Sequence, residues 1–192
     1  MRLEPDLAVS CGDLPFDYLE YLVSLLDVPL IYVPGNHDPS LRLPDPTWVP
    51  LQNEVVQPGP AGCDNVDGRA MEVAGLRVAG LGGSMRYKPG PNQYSQAQMR
   101  WRVFNLEVKI RLKQARAVRK LDVLVTHAPP FGVETAKDAA HIGFVAFQRV
   151  IHEFHPLVLI HGHVHPYGQV QPDRLVEDTR IVNAIPSRVV EV

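Results

Sequence analysis

The chain has 192 residues, 45% of them hydrophobic, and its 19 Lys and Arg against 21 Asp and Glu leave a formal net charge of -2. That length suits a single domain over 1–192 with a substantial core, and the charge balance excludes the basic footprint of bulk nucleic-acid binding. No apolar run approaches the ~20 residues that span a bilayer and the amino end carries no signal pattern, so the reading is cytoplasmic with no membrane partner.

Residues 7–11 read as a strand that ends in Gly12 and Asp13. Cys11 is expected there as a buried, reduced thiol, since two cysteines are too few for a disulfide framework. Residues 16–26 repeat apolar side chains at helical spacing behind Pro15 and make a crossover helix between parallel strands. The run 30–33 is too short for a helix, and Pro34-Gly35 stop it, which leaves Asn36, His37 and Asp38 on a loop at its carboxyl end. In open α/β sheets that edge is where ligands bind. The stretch 39–60 is rich in proline and lacks a period, as an irregular loop near the site does.

Residues 66–73 and 76–81 pattern as a hairpin that delivers Gly80-Leu81-Gly82-Gly83-Ser84-Met85-Arg86-Tyr87. Those glycines permit close approach of backbone to a ligand but lack the spacing of a nucleotide loop. Arg86 is a candidate substrate contact because a guanidinium pairs two phosphate oxygens; a solvated arginine fits equally. Residues 93–121 are mostly helical, with a basic second half that reads as a solvated face. Residues 123–125 form a strand ending in Thr126 and His127, and 139–154 an amphipathic helix closed by His155-Pro156. His141 is the histidine of that segment nearer the site. Residues 157–160 form a strand ending in His161-Gly162-His163-Val164-His165, and 169–192 alternate as strands that finish a sheet, with Asn183 and Ser187 on a turn.

Four strand-like runs therefore end in potential metal ligands. A carboxylate, an amide oxygen and several imidazoles, without thiolate, suit manganese, iron or zinc in a hydrolytic site better than a closed structural zinc site. Gly12-Asp13, Gly35-Asn36-His37-Asp38, Thr126-His127 and Gly162-His163-Val164-His165, in this order, resemble the calcineurin-like metallophosphoesterases. The resemblance implies an α/β fold of two mixed β-sheets packed face to face with flanking helices, a four-layer αββα sandwich whose first strand is missing here. It implies two divalent metal ions, manganese first with iron or zinc as alternatives. Asp13 would bridge them, Asn36, His127 and His163 would complete one site, and His165 would face the other. It further implies hydrolysis of a small phosphoester, a phosphodiester before a monoester, by a metal-bridged hydroxide, with His37 as general acid and Asp38 orienting its ring.

The amino end departs from the family's pattern. Members open with a strand ending in Asp-x-His, which gives two ligands to the first metal, and no such motif precedes Gly12-Asp13. The first site thus keeps only Asp13 and His165. An upstream start codon, a shortened chain or a real variant would each account for this. A missing strand also exposes a sheet edge, which a homo-oligomer could cover. The rival reading is a single-metal, catalytically impaired binding or scaffold protein.

Overall fold

The computed structural model describes residues 4–41, 59–113, 118, 120–134, 138–166 and 172–192. In chain order it runs β1 (Ala8–Ser10), α1 (Phe16–Leu26), β2 (Leu30–Tyr32), β3 (Cys63–Asn65), β4 (Ala70–Val73), β5 (Leu76–Leu81), β6 (Ser84–Met85), β7 (Gln93–Tyr94), α2 (Gln96–Lys113) and β8 (Val123–Thr126). A 3-10 turn (Ala139–His141), α3 (Val145–Phe154), β9 (Val158–His161), β10 (Arg174–Val176) and β11 (Thr179–Asn183) follow. Most of the expected loop 39–60 lies outside the described residues.

The first three strands form a parallel sheet in the order β1-β2-β3, and a second sheet runs β10-β11-β9-β8-β5-β4. The second is parallel at its centre and antiparallel at both edges. Strand alternation sorts the apolar side chains into layers. Ile31 and Val33 of the first sheet meet Val78, Val123, Val125, Val158 and Ile160 of the second in one core. The opposite faces differ: Leu30 and Tyr32 pack under α1, while Leu124 and Leu159 pack against Met99, Leu106, Phe147 and Ile151 of α2 and α3. The order is helix, sheet, sheet, helices, which is the expected four-layer sandwich. It also explains why 30–33, 123–125 and 157–160 read as unbroken apolar runs: both faces of these strands are covered.

Several boundaries differ from the sequence reading. The expected helix 139–154 is split, because Gly143 has φ +78° and a Cβ there would lie 2.5 Å from the Pro129 carbonyl oxygen. The expected hairpin strand 66–73 shortens to β4, since Val66 continues from β3 and donates its N–H to the Tyr32 carbonyl. The helix 93–121 is described from Gln96 to Lys113, with Gln93 and Tyr94 pairing instead with Ser84 and Met85. Asn183, read on a turn, is the last residue of β11.

The glycines of 80–83 do allow close approach, but to the chain itself. A Cβ on Gly82 would fall 2.4 Å from the Pro34 carbonyl oxygen, and one on Gly80 would meet Val66 and Val33. This segment is clamped by Asp67, which accepts from the Gly82 N–H at 2.6 Å and from Arg102 Nη2 at 2.5 and 2.6 Å. Arg102 in turn lies over the Tyr94 ring and donates to the Gly82 carbonyl. The loop after β2 therefore rests on a surface held from α2.

Candidate metal centre

Strand register brings the candidate ligands together. In the parallel pair β1 and β2, Ser10 lies opposite Tyr32, so the loops carrying Asp13 and Asn36 leave the same end of the sheet. They touch through backbone: Gly12 adopts φ +90°, and a Cβ on it would lie 2.3 Å from the Gly35 nitrogen. In β8 and β9, Thr126 lies opposite His161, which puts His127 beside the Gly162-His163 turn; the Gly162 N–H donates to the His127 carbonyl at 3.0 Å. His127 then reaches across the sandwich, its Nδ1–H donating to the Cys11 carbonyl at 2.6 Å.

That bond decides what His127 offers the site. With its proton at Nδ1, its Nε2 is a bare lone pair. The His163 ring is fixed the other way round, with Nε2–H donating to the Ala140 carbonyl at 3.1 Å and Nδ1 bare. His127 Nε2 lies 3.1 Å from His163 Nδ1, 3.1 Å from Asn36 Oδ1 and 3.4 Å from Asp13 Oδ2. Four electron-pair donors thus face one another with no hydrogen between them, an arrangement that repels unless a cation sits among them. Ligand atoms of Asp13, His127 and His163 all lie within 4.8 Å of one another. The residues present fit a divalent ion of borderline hardness.

Electrostatics agree. Burial holds His127 below its usual pKa despite the nearby Asp13 carboxylate, and burial, with His127 beside it, brings His163 down to about 4. Both rings are therefore neutral at pH 7, the form that ligates metals. The Cys11 thiol is pushed by burial up to about 12, so this residue serves the site through its carbonyl.

The other residues singled out by sequence fall into three groups. His37 and His165 are exposed on an open cavity of about 430 Å³, together with Asp13, Asn36 and His163. The His37 backbone N–H donates to Asp13 Oδ1 at 2.8 Å, which fixes the carboxylate. Asp38, expected to orient the His37 ring, acts on backbone: its buried Oδ2 accepts from the Gly35 N–H at 2.7 Å and the Asp13 N–H at 2.9 Å, tying the two motif loops together. Burial raises its pKa, with those two N–H bonds opposing. Arg86 does not line the cavity; its guanidinium bonds Gln98 Oε1 and the Gln93 carbonyl.

Residues outside the candidate ligand set also shape the site. Asn92 holds the loop after β2 by donating to the Gly35 and Asp38 carbonyls, and Asn183 donates to the Val164 carbonyl at 2.8 Å, anchoring the segment between His163 and His165. Tyr87, Asp138 and His141 line the cavity; Asp138 caps the 3-10 turn and bonds His141 Nδ1 at 2.7 Å, and the His141 ring lies 4.9 Å from that of His163. His141, expected nearer the site, lines the cavity, and its i,i+3 spacing from Asp138 is the sequence signal that pairs the two.

A family model described as calcineurin-like phosphoesterase matches residues 3–167. Two solved structures share the fold. One is 22% identical, with a TM-score of 0.53 over 88% of this chain and 62% of that one. The other, TT1561 of Thermus thermophilus, is 16% identical, with a TM-score of 0.54 over 93% of this chain and 76% of that one. This chain thus spans less than two thirds of the first structure's length. No curated protein matches the sequence. Among the described residues, no helix is long and apolar enough to cross a membrane.

Proposed function

We propose that this chain, which belongs to the calcineurin-like phosphoesterases, hydrolyses a small phosphodiester with a divalent ion, manganese before iron or zinc, held by Asp13, Asn36, His127 and His163. The observation that carries this reading is the convergence of bare lone pairs around His127 Nε2. When bound, the ion polarises a phosphoryl oxygen and offsets the negative charge that repels a nucleophile. The protein's own groups do the rest. Asp13 has two carboxylate oxygens, and with His165 on the cavity it can serve a second ion. His37, exposed beside Asn36, carries the proton that the leaving oxygen takes up, a role that contributes ~10²–10⁴-fold. Tyr87 and His141 wall the cavity for the organic arms of a diester. Cys11 and Cys63 are both free thiols, in keeping with work in the cytoplasm.

The test is turnover of bis(p-nitrophenyl) phosphate and p-nitrophenyl phosphate by chelated and manganese-reloaded protein, alongside Asp13→Ala. Metal-dependent turnover, lost in the variant and faster on the diester, supports the reading. Equal turnover by the chelated protein or by Asp13→Ala refutes it.

A second reading, a binding protein with a single metal and no hydrolysis, is favoured by one observation: among the described residues, Asp13, His127 and His163 form the one His/Asp cluster within ligand distance. One metal per chain with no turnover of either ester would select it.

A further inference from the structure

The helix α2 is apolar on two opposite sides. Met99, Val103, Leu106 and Ile110 are buried against the second sheet and α3. On the outer side Trp101, Phe104, Val108 and Leu112 are 65%, 49%, 39% and 74% exposed. Their spacing of three, four and four residues lines them up along ~16 Å of helix, and the Trp101 and Phe104 rings stack at 5.6 Å. A solvated helix face would carry polar residues here. A continuous apolar seam is instead the pattern of a helix that packs on both sides.

We infer that this outer seam is a docking surface for a second copy of the chain, with the two α2 helices antiparallel about a two-fold axis at the level midway between Phe104 and Val108. Such an axis sets Trp101 against the partner's Leu112 and Phe104 against the partner's Val108, a large side chain facing a smaller one at every level. The seam is thus self-complementary, as a two-fold contact requires. The four side chains expose on the order of 450 Å² per copy, over half of the roughly 800 Å² that each partner of a stable complex buries. The neighbouring charges select this occupant over an anionic lipid surface, which needs free cations beside the apolar residues. Lys109 Nζ is committed to the Gly68 carbonyl at 2.7 Å and Arg111 to Glu153 at 2.6 Å. Lys113 sits roughly a quarter-turn or more round the helix from the seam, which leaves Arg100, four residues before Phe104, as a single flanking cation where a lipid-binding face carries several. This surface is separate from the edge of β1, and the inference does not depend on phosphoester hydrolysis.

Sedimentation equilibrium of the 192-residue chain, from low to high micromolar concentration, tests it. The expected mass rises from 21.4 kDa to twice that value. Trp101→Lys and Leu112→Glu should each weaken self-association by roughly tenfold or more. The double variant should recover it, because in the antiparallel pair each new charge faces its opposite. Thermal melts of the variants, whose side chains are exposed, check that the fold is intact. A monomer at every concentration overturns the inference, as does a dimer that Trp101→Lys leaves intact or a double variant no better than the singles. A monomer that instead co-sediments with phosphatidylserine vesicles overturns it in favour of lipid.

Discussion

His127 Nε2 and His163 Nδ1 face each other at 3.1 Å, and each ring has already given its N–H to a backbone carbonyl, Cys11 for one and Ala140 for the other. The two rings arrive from consecutive strands of one sheet, yet their protons are placed by the other sheet and by the 3-10 turn. Neither nitrogen can relieve the contact by donating, so the pair is poised for a cation.

Metal should therefore stabilise the fold measurably. Saturating manganese at about a hundredfold over Kd would add about 2.7 kcal/mol, read as a rise in Tm. His163→Ala should abolish that rise while changing the metal-free Tm little. His127→Ala should abolish it and also lower the metal-free stability by about 2–4 kcal/mol, since this ring is fully buried. A rise in Tm that survives His163→Ala would place the ion elsewhere.

Asp38 and His37 should separate by what their loss changes. Asp38→Ala strands the buried N–H of Gly35, at about 1–3 kcal/mol, and frees the half-buried N–H of Asp13, and should lower metal content with stability. His37→Ala should keep metal content and stability while reducing turnover by ~10²-fold or more. If Asp38→Ala matched His37→Ala, with metal content intact, Asp38 would act through the His37 ring after all.

Acid should weaken the metal-free protein. The folded pKa values of His161 and His163 are both brought down to about 4, chiefly by burial. Against an unfolded value near 6.5, the unfolded chain takes up protons first as pH falls. Stability is thus fully present above about pH 6.5 and is lost progressively toward pH 4. Urea midpoints of chelated protein across that range check the sign; a midpoint that rises on acidification contradicts it.

Gly35 is a test of close packing. A Cβ there would lie 2.0 Å from Asp13 Oδ1 and 2.7 Å from His127 Cε1. Gly35→Ala should cost about 1–3 kcal/mol and displace both side chains, so metal content should fall even where the variant folds. Wild-type metal content in a folded Gly35→Ala protein would show that the loop can give way.

Chain-local signals were enough to find the ends of the strands and what sits there. The runs 30–33, 123–125 and 157–160 are apolar because both faces of these strands are covered, and glycine or proline marks where several of the runs stop. Asp13, Asn36, His127 and His163 were legible for that reason, and parallel register made them neighbours. Other features depend on contacts between distant segments. The bare nitrogen on each ring is selected by the carbonyls of Cys11 and Ala140, and Asp38 binds backbone 25 residues away as well as its own turn. The glycines at 80–83 make room for Pro34 and Val66, a demand that no local pattern reveals. In α2, periodicity placed apolar residues on both sides, but only packing decided which side the core would take, leaving Trp101, Phe104, Val108 and Leu112 outside.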